Sequence, residues 1–234
     1  MNIQEAKVLI TGGSAGLGYE TAKLLVSKGA KVVICGRKKD TIDKAAKELG
    51  AVGIVADVSK EEDVVKMVAE AKHALGGLNV LINNAGFGTF SPLVDIKTSD
   101  FEKVLNTNVI GAMLCARESA KCFVEQSYGN IINISSTAGR AGFAGGSVYC
   151  ASKFALSALT ECWRAELRKH NIRVMQVNPS EVQTDFFINS GGAERPFNET
   201  KLQAIEIAHT VVSMLEMNDR GFITEATVFA TNPK

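Results

Sequence analysis

Apolar positions along the 234-residue chain fall into two alternating patterns. Short runs rich in β-branched residues occur at 7–11, 31–36, 52–57, 80–86, 130–136, 173–179 and 222–230. Several of them, KVLIT and KVVICG included, lack the polar alternation of a half-exposed strand and predict parallel strands buried on both faces. Between these runs, apolar residues recur three or four apart, which predicts helices over about 17–28, 38–49, 60–75, 98–126, 148–170 and 199–217. The stretch 60–75 sets Val64, Val65, Val68, Ala71, Lys72 and Leu75 on one face. Ser99 and Glu102 spell a capping box at the start of the fourth helix. Further along it, Asn106, Thr107, Asn108 and Gly111 are poor helix formers and predict a kink. Strand–helix alternation from end to end predicts an α/β protein: one domain over residues 1–234, built on a doubly wound, seven-stranded parallel sheet with helices on both faces.

Composition narrows the partners. The chain has 26 basic and 25 acidic residues, a balance that argues against nucleic acid. Every apolar run is cut by Gly, Asn, Thr or a charge before it reaches membrane-spanning length. The first ten residues lack the layout of a signal peptide. Five cysteines with no C-x-x-C read as reduced thiols of a cytoplasmic protein. His73, His170 and His209 are too scattered for a metal site, so no metal is expected.

Two clusters carry chemistry. The first strand runs into a glycine-rich turn, Gly12, Gly16 and Gly18, and then an apolar helix. That context is a dinucleotide-binding (Rossmann) unit, in which the glycines let backbone amides and the helix N-terminus approach a pyrophosphate. At the end of the second strand, where an acid would hold the ribose of NAD, stand Gly36 and Arg37. A guanidinium there suits a 2′-phosphate, so NADP(H) is expected over NAD(H). Lys38 and Lys39 read as the solvated start of a helix. The second cluster is Tyr149 and Lys153, one helical turn apart, downstream of a strand ending on Ser136. A phenol next to a cation suits proton transfer to or from an oxygen.

Together these residues resemble the short-chain dehydrogenase/reductase family in its compact branch, over essentially the whole chain. The resemblance rests on Thr11-Gly12-Gly13-Ser14-Ala15-Gly16-Leu17-Gly18, Asp57-Val58, Asn83-Asn84-Ala85-Gly86, Asn108, Ser136, Tyr149-x-x-x-Lys153 and Asn178-Pro179. It implies a catalytic tetrad of Asn108, Ser136, Tyr149 and Lys153. Ser136 rather than Ser135 is the match, being thirteen residues before the tyrosine. It also implies cofactor contacts from Gly12, Ser14, Gly16, Leu17, Gly18 and Arg37, adenine contacts from Asp57 and Val58, and further contacts from Asn84, Ala85, Gly86, Tyr149, Lys153, Pro179, Val182 and Thr184. In this reading Tyr149 is the general acid/base, Ser136 binds the reacting oxygen, Lys153 lowers the tyrosine pKa, and Asn108 links the lysine to solvent through water. The family usually has Pro-Gly where this chain has Pro179-Ser180, a change that restricts φ.

The implied activity is NADP(H)-dependent interconversion of a carbonyl and an alcohol, with resemblance to 3-oxoacyl carrier-protein reductases and small-carbonyl reductases. The alternatives are a catalytically idle NADP(H)-binding sensor or scaffold, and a sugar-nucleotide epimerase or dehydratase. The latter usually has a different glycine spacing and a longer C-terminal region. Substrate walls are expected from 87–93, 138–147 and 180–197, with a lid at about 185–200 that carries Phe186, Phe187, Phe197, Gly191 and Gly192. Apolar faces of the helices at 98–126 and 148–170, including Met113, Cys115, Leu156, Leu159, Trp163 and Leu167, together with the family's habit, imply a homodimer or homotetramer.

Overall fold

Side-chain alternation along the strands organises the molecule. In the computed structural model, which describes residues 1–190 and 196–232, β1 (Lys7–Thr11) sends Val8 and Ile10 to one face of the sheet and Leu9 to the other. The same alternation divides Val32 and Ile34 from Val33 and Cys35 in β2 (Lys31–Gly36), and Val80 and Ile82 from Leu81 in β4 (Val80–Asn83). Both faces are therefore apolar, and both are covered by helices. With β3 (Val52–Val55), β5 (Gly129–Ile134), β6 (Ile172–Pro179) and β9 (Glu225–Val228), the strands form one parallel sheet in the order β3-β2-β1-β4-β5-β6-β9.

Helices α1 (Gly16–Ser27), α2 (Lys39–Leu49) and α8 (Ala204–Glu216) cover one face. The other is covered by α3 (Glu61–Leu75), α5 (Ala112–Glu125) and α6 (Ser147–Leu167). The α2 and α3 helices stop where Gly50 and Gly76 turn left-handed, at φ of 67° and 64°. Strand order reverses between β1 and β4, so the crevice beyond their carboxyl ends is the natural ligand site of the fold. Among the described residues no helix is long and apolar enough to cross a membrane.

The sheet and its seven strands match the sequence reading; the departures are local. The apolar face of α3 uses Met67, and Val65 is 46% exposed. The fourth helix divides into α4 (Thr98–Leu105), a π-helical turn (Asn106–Gly111) and α5, so the weak helix formers do interrupt the helix. The Ser99–Glu102 capping box does not form. The helix begins at Thr98 with Lys97 as N-cap, which places Ser99 inside the first turn. A capping box forms instead between Gln203 and Glu206 at α8. There the chain first makes a two-residue strand, β8 (Leu202–Gln203), paired with β7 (Val182–Gln183). Strands this short carry no readable period. Of the expected lid, α7 (Phe186–Asn189) is a short helix. Gly191, Gly192 and the side chain of Phe187 lie outside the described residues.

Candidate active site

The crevice is built on a contact between two loops. Thr11, the last residue of β1, accepts on its Oγ1 from the backbone N–H groups of Asn84 and Ala85, both at 3.0 Å. Asn84 answers with its Nδ2, which donates to the carbonyls of Thr11 (2.9 Å) and Gly12 (3.0 Å). Two glycines make this approach possible. A Cβ on Gly12, whose φ is +64°, would lie 3.0 Å from the Ala85 Cα. One on Gly18 would come within 2.5 Å of both the Asn84 amide nitrogen and the Gly12 carbonyl. Asn84, one of the residues expected to contact a cofactor, is therefore also a brace for the glycine loop. Thr11 acts as its partner, a role that its spacing in the sequence did not disclose.

α1 starts after Ala15, which supplies no side-chain cap, so the first N–H groups of the helix (Gly16, Leu17 and Gly18) point outward along its positive end. They face an open cleft of about 350 Å³, with Ser14, Ala15 and Gly16 on one side and Gln183, Thr184 and Asp185 on the other. A Cβ on Gly16 would sit 3.6 Å from Thr184, so Thr184, one of the expected cofactor contacts, does reach the glycine loop. Val182 lies beside it in β7, half-buried against the core. The backbone amides of this cradle suit a pyrophosphate, and Tyr19, Glu20 and Ala204 complete the lining of the cleft.

At the adenosine end, Arg37 is exposed directly after Gly36, and the Ser14 hydroxyl lies 3.6 Å from where a Gly36 Cβ would be. Burial opposes ionisation of Asp57. The hydroxyl and N–H of Ser59, which donate to its carboxylate at 2.7 and 3.0 Å, together with the Arg37 and Lys60 charges, nevertheless hold the group below its ordinary value. Val58 is buried against Gly111 of the π-turn. Lys38 is the N-cap of α2 and Lys39 pairs with Asp43 at 2.5 Å, so both open the helix as expected.

Two of the four expected catalytic residues, Asn108 and Lys153, meet at Gly86, and the Tyr149 ring lies beside Gly88. A Cβ on Gly86 would lie 3.0 Å from Asn108 Oδ1 and 3.7 Å from Lys153 Nζ. Asn108 is 1% exposed. Its Oδ1 accepts from the Phe87 N–H (3.1 Å), and its Nδ2 donates to the Phe87 carbonyl (2.9 Å) and to Ser152 Oγ (3.0 Å). Ser152 in turn donates to the carbonyl of Tyr149 (2.7 Å). The π-turn thus braces both the segment after β4 and the first turn of α6. Ser136 caps a short 3₁₀ turn (Thr137–Gly139) by accepting from the Ala138 N–H, and it donates weakly to the Pro179 carbonyl at 3.5 Å. Ser135 faces away and donates to the Lys153 carbonyl. Ser180 carries no strain, because Ser127 and Asn171 are the positive-φ residues among the described non-glycines.

Protonation corrects one expectation. Burial pushes the Tyr149 phenol up to about 12, against the pull of the Ser136 hydroxyl. Burial likewise lowers the Lys153 ammonium to about 8. The expected lowering of the tyrosine by the lysine is absent. Lys153 Nζ donates to the Ile134 carbonyl at 2.8 Å and sits 5.7 Å from the tyrosine ring centre, and both groups are desolvated. The Tyr149 ring also lies against two aromatics of the expected substrate walls, Phe90 at 5.7 Å and Phe186 at 5.4 Å.

Residues 6–195 match the family described as short chain dehydrogenase. An NADP-dependent 3-hydroxy acid dehydrogenase of Schizosaccharomyces pombe is 32% identical over 241 residues, covering 96% of this chain and 92% of that one. The closed form of a serine dehydrogenase complexed with NADP+ superposes with a TM-score of 0.89 at 28% identity, over 94% of this chain and 93% of that one. Levodione reductase superposes at 0.88 with 26% identity, over 96% and 97% of the two chains.

Proposed function

The chain belongs to the short-chain dehydrogenase family of NAD(P)-dependent oxidoreductases, and on that premise we propose that it interconverts a carbonyl compound and an alcohol using NADP(H), with Tyr149 as the general acid/base. The observation that carries this reading is the placement of Asn108 and Lys153 beside Gly86 and of the Tyr149 ring beside Gly88, close to the amide cradle of α1. When bound, the dihydronicotinamide supplies a hydride to the carbonyl carbon. Tyr149 donates its proton to the oxygen as negative charge grows there, and Ser136 stabilises that oxygen by a hydrogen bond. A phenol held near 12 is protonated at neutral pH and so is set to act as an acid. Lys153, with an ammonium lowered to about 8, is set to replace that proton.

Arg37 grips the 2′-phosphate, supported by its exposed position after Gly36 and by the NADP+ complex of the related serine dehydrogenase. A homo-oligomer in the cytoplasm completes the reading, the latter supported by five unbridged cysteines. The test is steady-state reduction of a carbonyl panel with NADPH and NADH. Tyr149→Phe is expected to keep NADPH affinity and lose at least ~100-fold in turnover. Arg37→Asp is expected to reverse a wild-type preference for NADPH. Near-normal turnover by Tyr149→Phe sinks the acid/base role, and a wild type that already prefers NADH sinks the cofactor assignment.

A further inference from the structure

Gln183, at the end of β7, closes a ring of two hydrogen bonds with the backbone of Asn198. Its Oε1 accepts from the Asn198 N–H at 2.6 Å, and its Nε2 donates to the Asn198 carbonyl at 2.5 Å. The side-chain amide thus pairs with Asn198 as a residue of a neighbouring antiparallel strand would, and it ties together positions 15 apart in the chain. Asn198 is itself fixed. Its Oδ1 accepts from the N–H and the hydroxyl of Thr200, both at 2.8 Å, and its carbonyl also accepts from the Lys201 N–H at 3.2 Å. The residues that follow are anchored: Leu202 is buried and pairs with Val182, Gln203 pairs with Gln183, and the Lys201 ammonium reaches Glu181 at 2.9 Å. On its other side Gln183 leads straight into the cofactor cleft, whose wall it forms with Thr184 and Asp185. Thr184 lies 3.6 Å from where a Gly16 Cβ would be, and its Oγ1 accepts from the Phe186 N–H at 3.3 Å. The β7–β8 ladder is only two residues long, so the side-chain clasp is a large share of what holds this wall. A wall that is ordered before its ligand arrives takes that ordering cost out of binding.

We propose that Gln183 is a positioning residue for the dinucleotide. By clasping Asn198 it holds Thr184 against the glycine loop, so that the cofactor meets a wall already in place. The inference deepens the oxidoreductase reading above and rests on it.

The test pairs two variants of the full-length protein. Gln183→Met keeps the length of the side chain and removes both bonds of the clasp, whereas Gln203→Ala removes the capping box of α8 and leaves the clasp. Without dinucleotide, hydrogen–deuterium exchange at the Asn198 amide is expected to be about tenfold or more faster in Gln183→Met than in the wild type. Fluorescence titration of Gln183→Met with NADPH is expected to give a Kd raised roughly 3- to 10-fold, the scale of one or two neutral hydrogen bonds. Its kcat at saturating NADPH, on a carbonyl that the wild type reduces, is expected to stay within about twofold. Gln203→Ala is expected to lower Tm by about 2 °C or more and to leave the Kd for NADPH unchanged. An unchanged Kd or unchanged Asn198 exchange in Gln183→Met, or an equal rise in Kd in Gln203→Ala, overturns the proposal. A wild type that binds neither NADPH nor NADH overturns the oxidoreductase reading itself, and the positioning role falls with it.

Discussion

Lys153 is the residue whose surroundings were least foreseeable. Its ammonium is 5% exposed and lies on a strand carbonyl, and burial brings its pKa from 10.5 down to about 8. The unfolded chain therefore binds more protons than the folded one between those two values, and stability rises with pH in that window. Below pH 8 the lysine is protonated in both states and the full desolvation cost is present; the cost is relieved as pH climbs from about 8 towards 10.5. The Tyr149 phenol, raised from 10.0 to about 12, acts in the opposite sense only above pH 10. Urea unfolding of wild type and Lys153→Met at pH 7 and pH 9.5 should show the wild type gaining roughly 1–2 kcal/mol on the variant at the higher pH. Parallel pH profiles would show that the lysine is solvated. The sequence revealed that Tyr149 and Lys153 share a helix face. It did not reveal that a β5 carbonyl would capture the ammonium, because that contact joins residues 19 apart in the chain across a packed interface.

At the scale of elements, the π-turn between α4 and α5 is the piece that ties the site together. The interruption was legible in Asn106, Thr107, Asn108 and Gly111, residues that weaken a helix by competing for its backbone bonds or by lacking a side chain. Its purpose was not legible. Asn108 joins Phe87 to Ser152, and Ser152 joins the carbonyl of Tyr149, so one side chain registers the strand-end loop against α6. Asn108→Ala would leave the Phe87 N–H and carbonyl and the Ser152 hydroxyl short of partners in a buried place. It should cost about 2–4 kcal/mol of stability by denaturant titration, in addition to any loss of turnover. A loss below about 1 kcal/mol would mean that the loop and helix are registered by packing alone. A second brace runs from the other side, where Gln176 donates to Ser157 and Asn178, and Asn178 donates to Glu225, the partner of Arg140. Ser157 in turn donates to the Lys153 carbonyl, so α6 is held from both ends of this region.

For the whole molecule, the feature that stands apart from the core is an exposed face of α6 and the π-turn. Most of the helix residues expected to form a subunit contact face the core. Cys115 and Leu156 are buried, and Met113, Trp163 and Leu167 pack against the second apolar layer. The exposed strip is a different one: Phe154 at 45%, then Ala158, Cys162 and Ala165 one turn after another, with Ile110 at 42% on the neighbouring π-turn. A second copy of the chain packed on this strip is the arrangement we propose for the homo-oligomer. Light scattering of the purified protein should give at least twice the 25.0 kDa chain mass, and Phe154→Glu should shift it towards that mass. A monomeric wild type would rule the arrangement out.

The order of strands and helices, the glycine turn, Arg37 after Gly36 and the Tyr149–Lys153 spacing were determined by the sequence alone, because each is local. Periodicity, backbone freedom and helical geometry act over a few residues and leave a readable pattern. The tertiary structure alone decided that Asn84 and Thr11 lock the two loops, that Asn108 braces Tyr149, and that Lys153 turns to Ile134. It alone decided, too, that Phe90 and Phe186, from separate segments, meet at one phenol, with Phe143 packed on Phe90. Those contacts join residues far apart in the chain. Their energies depend on burial, which the sheet creates only once its strands are in order.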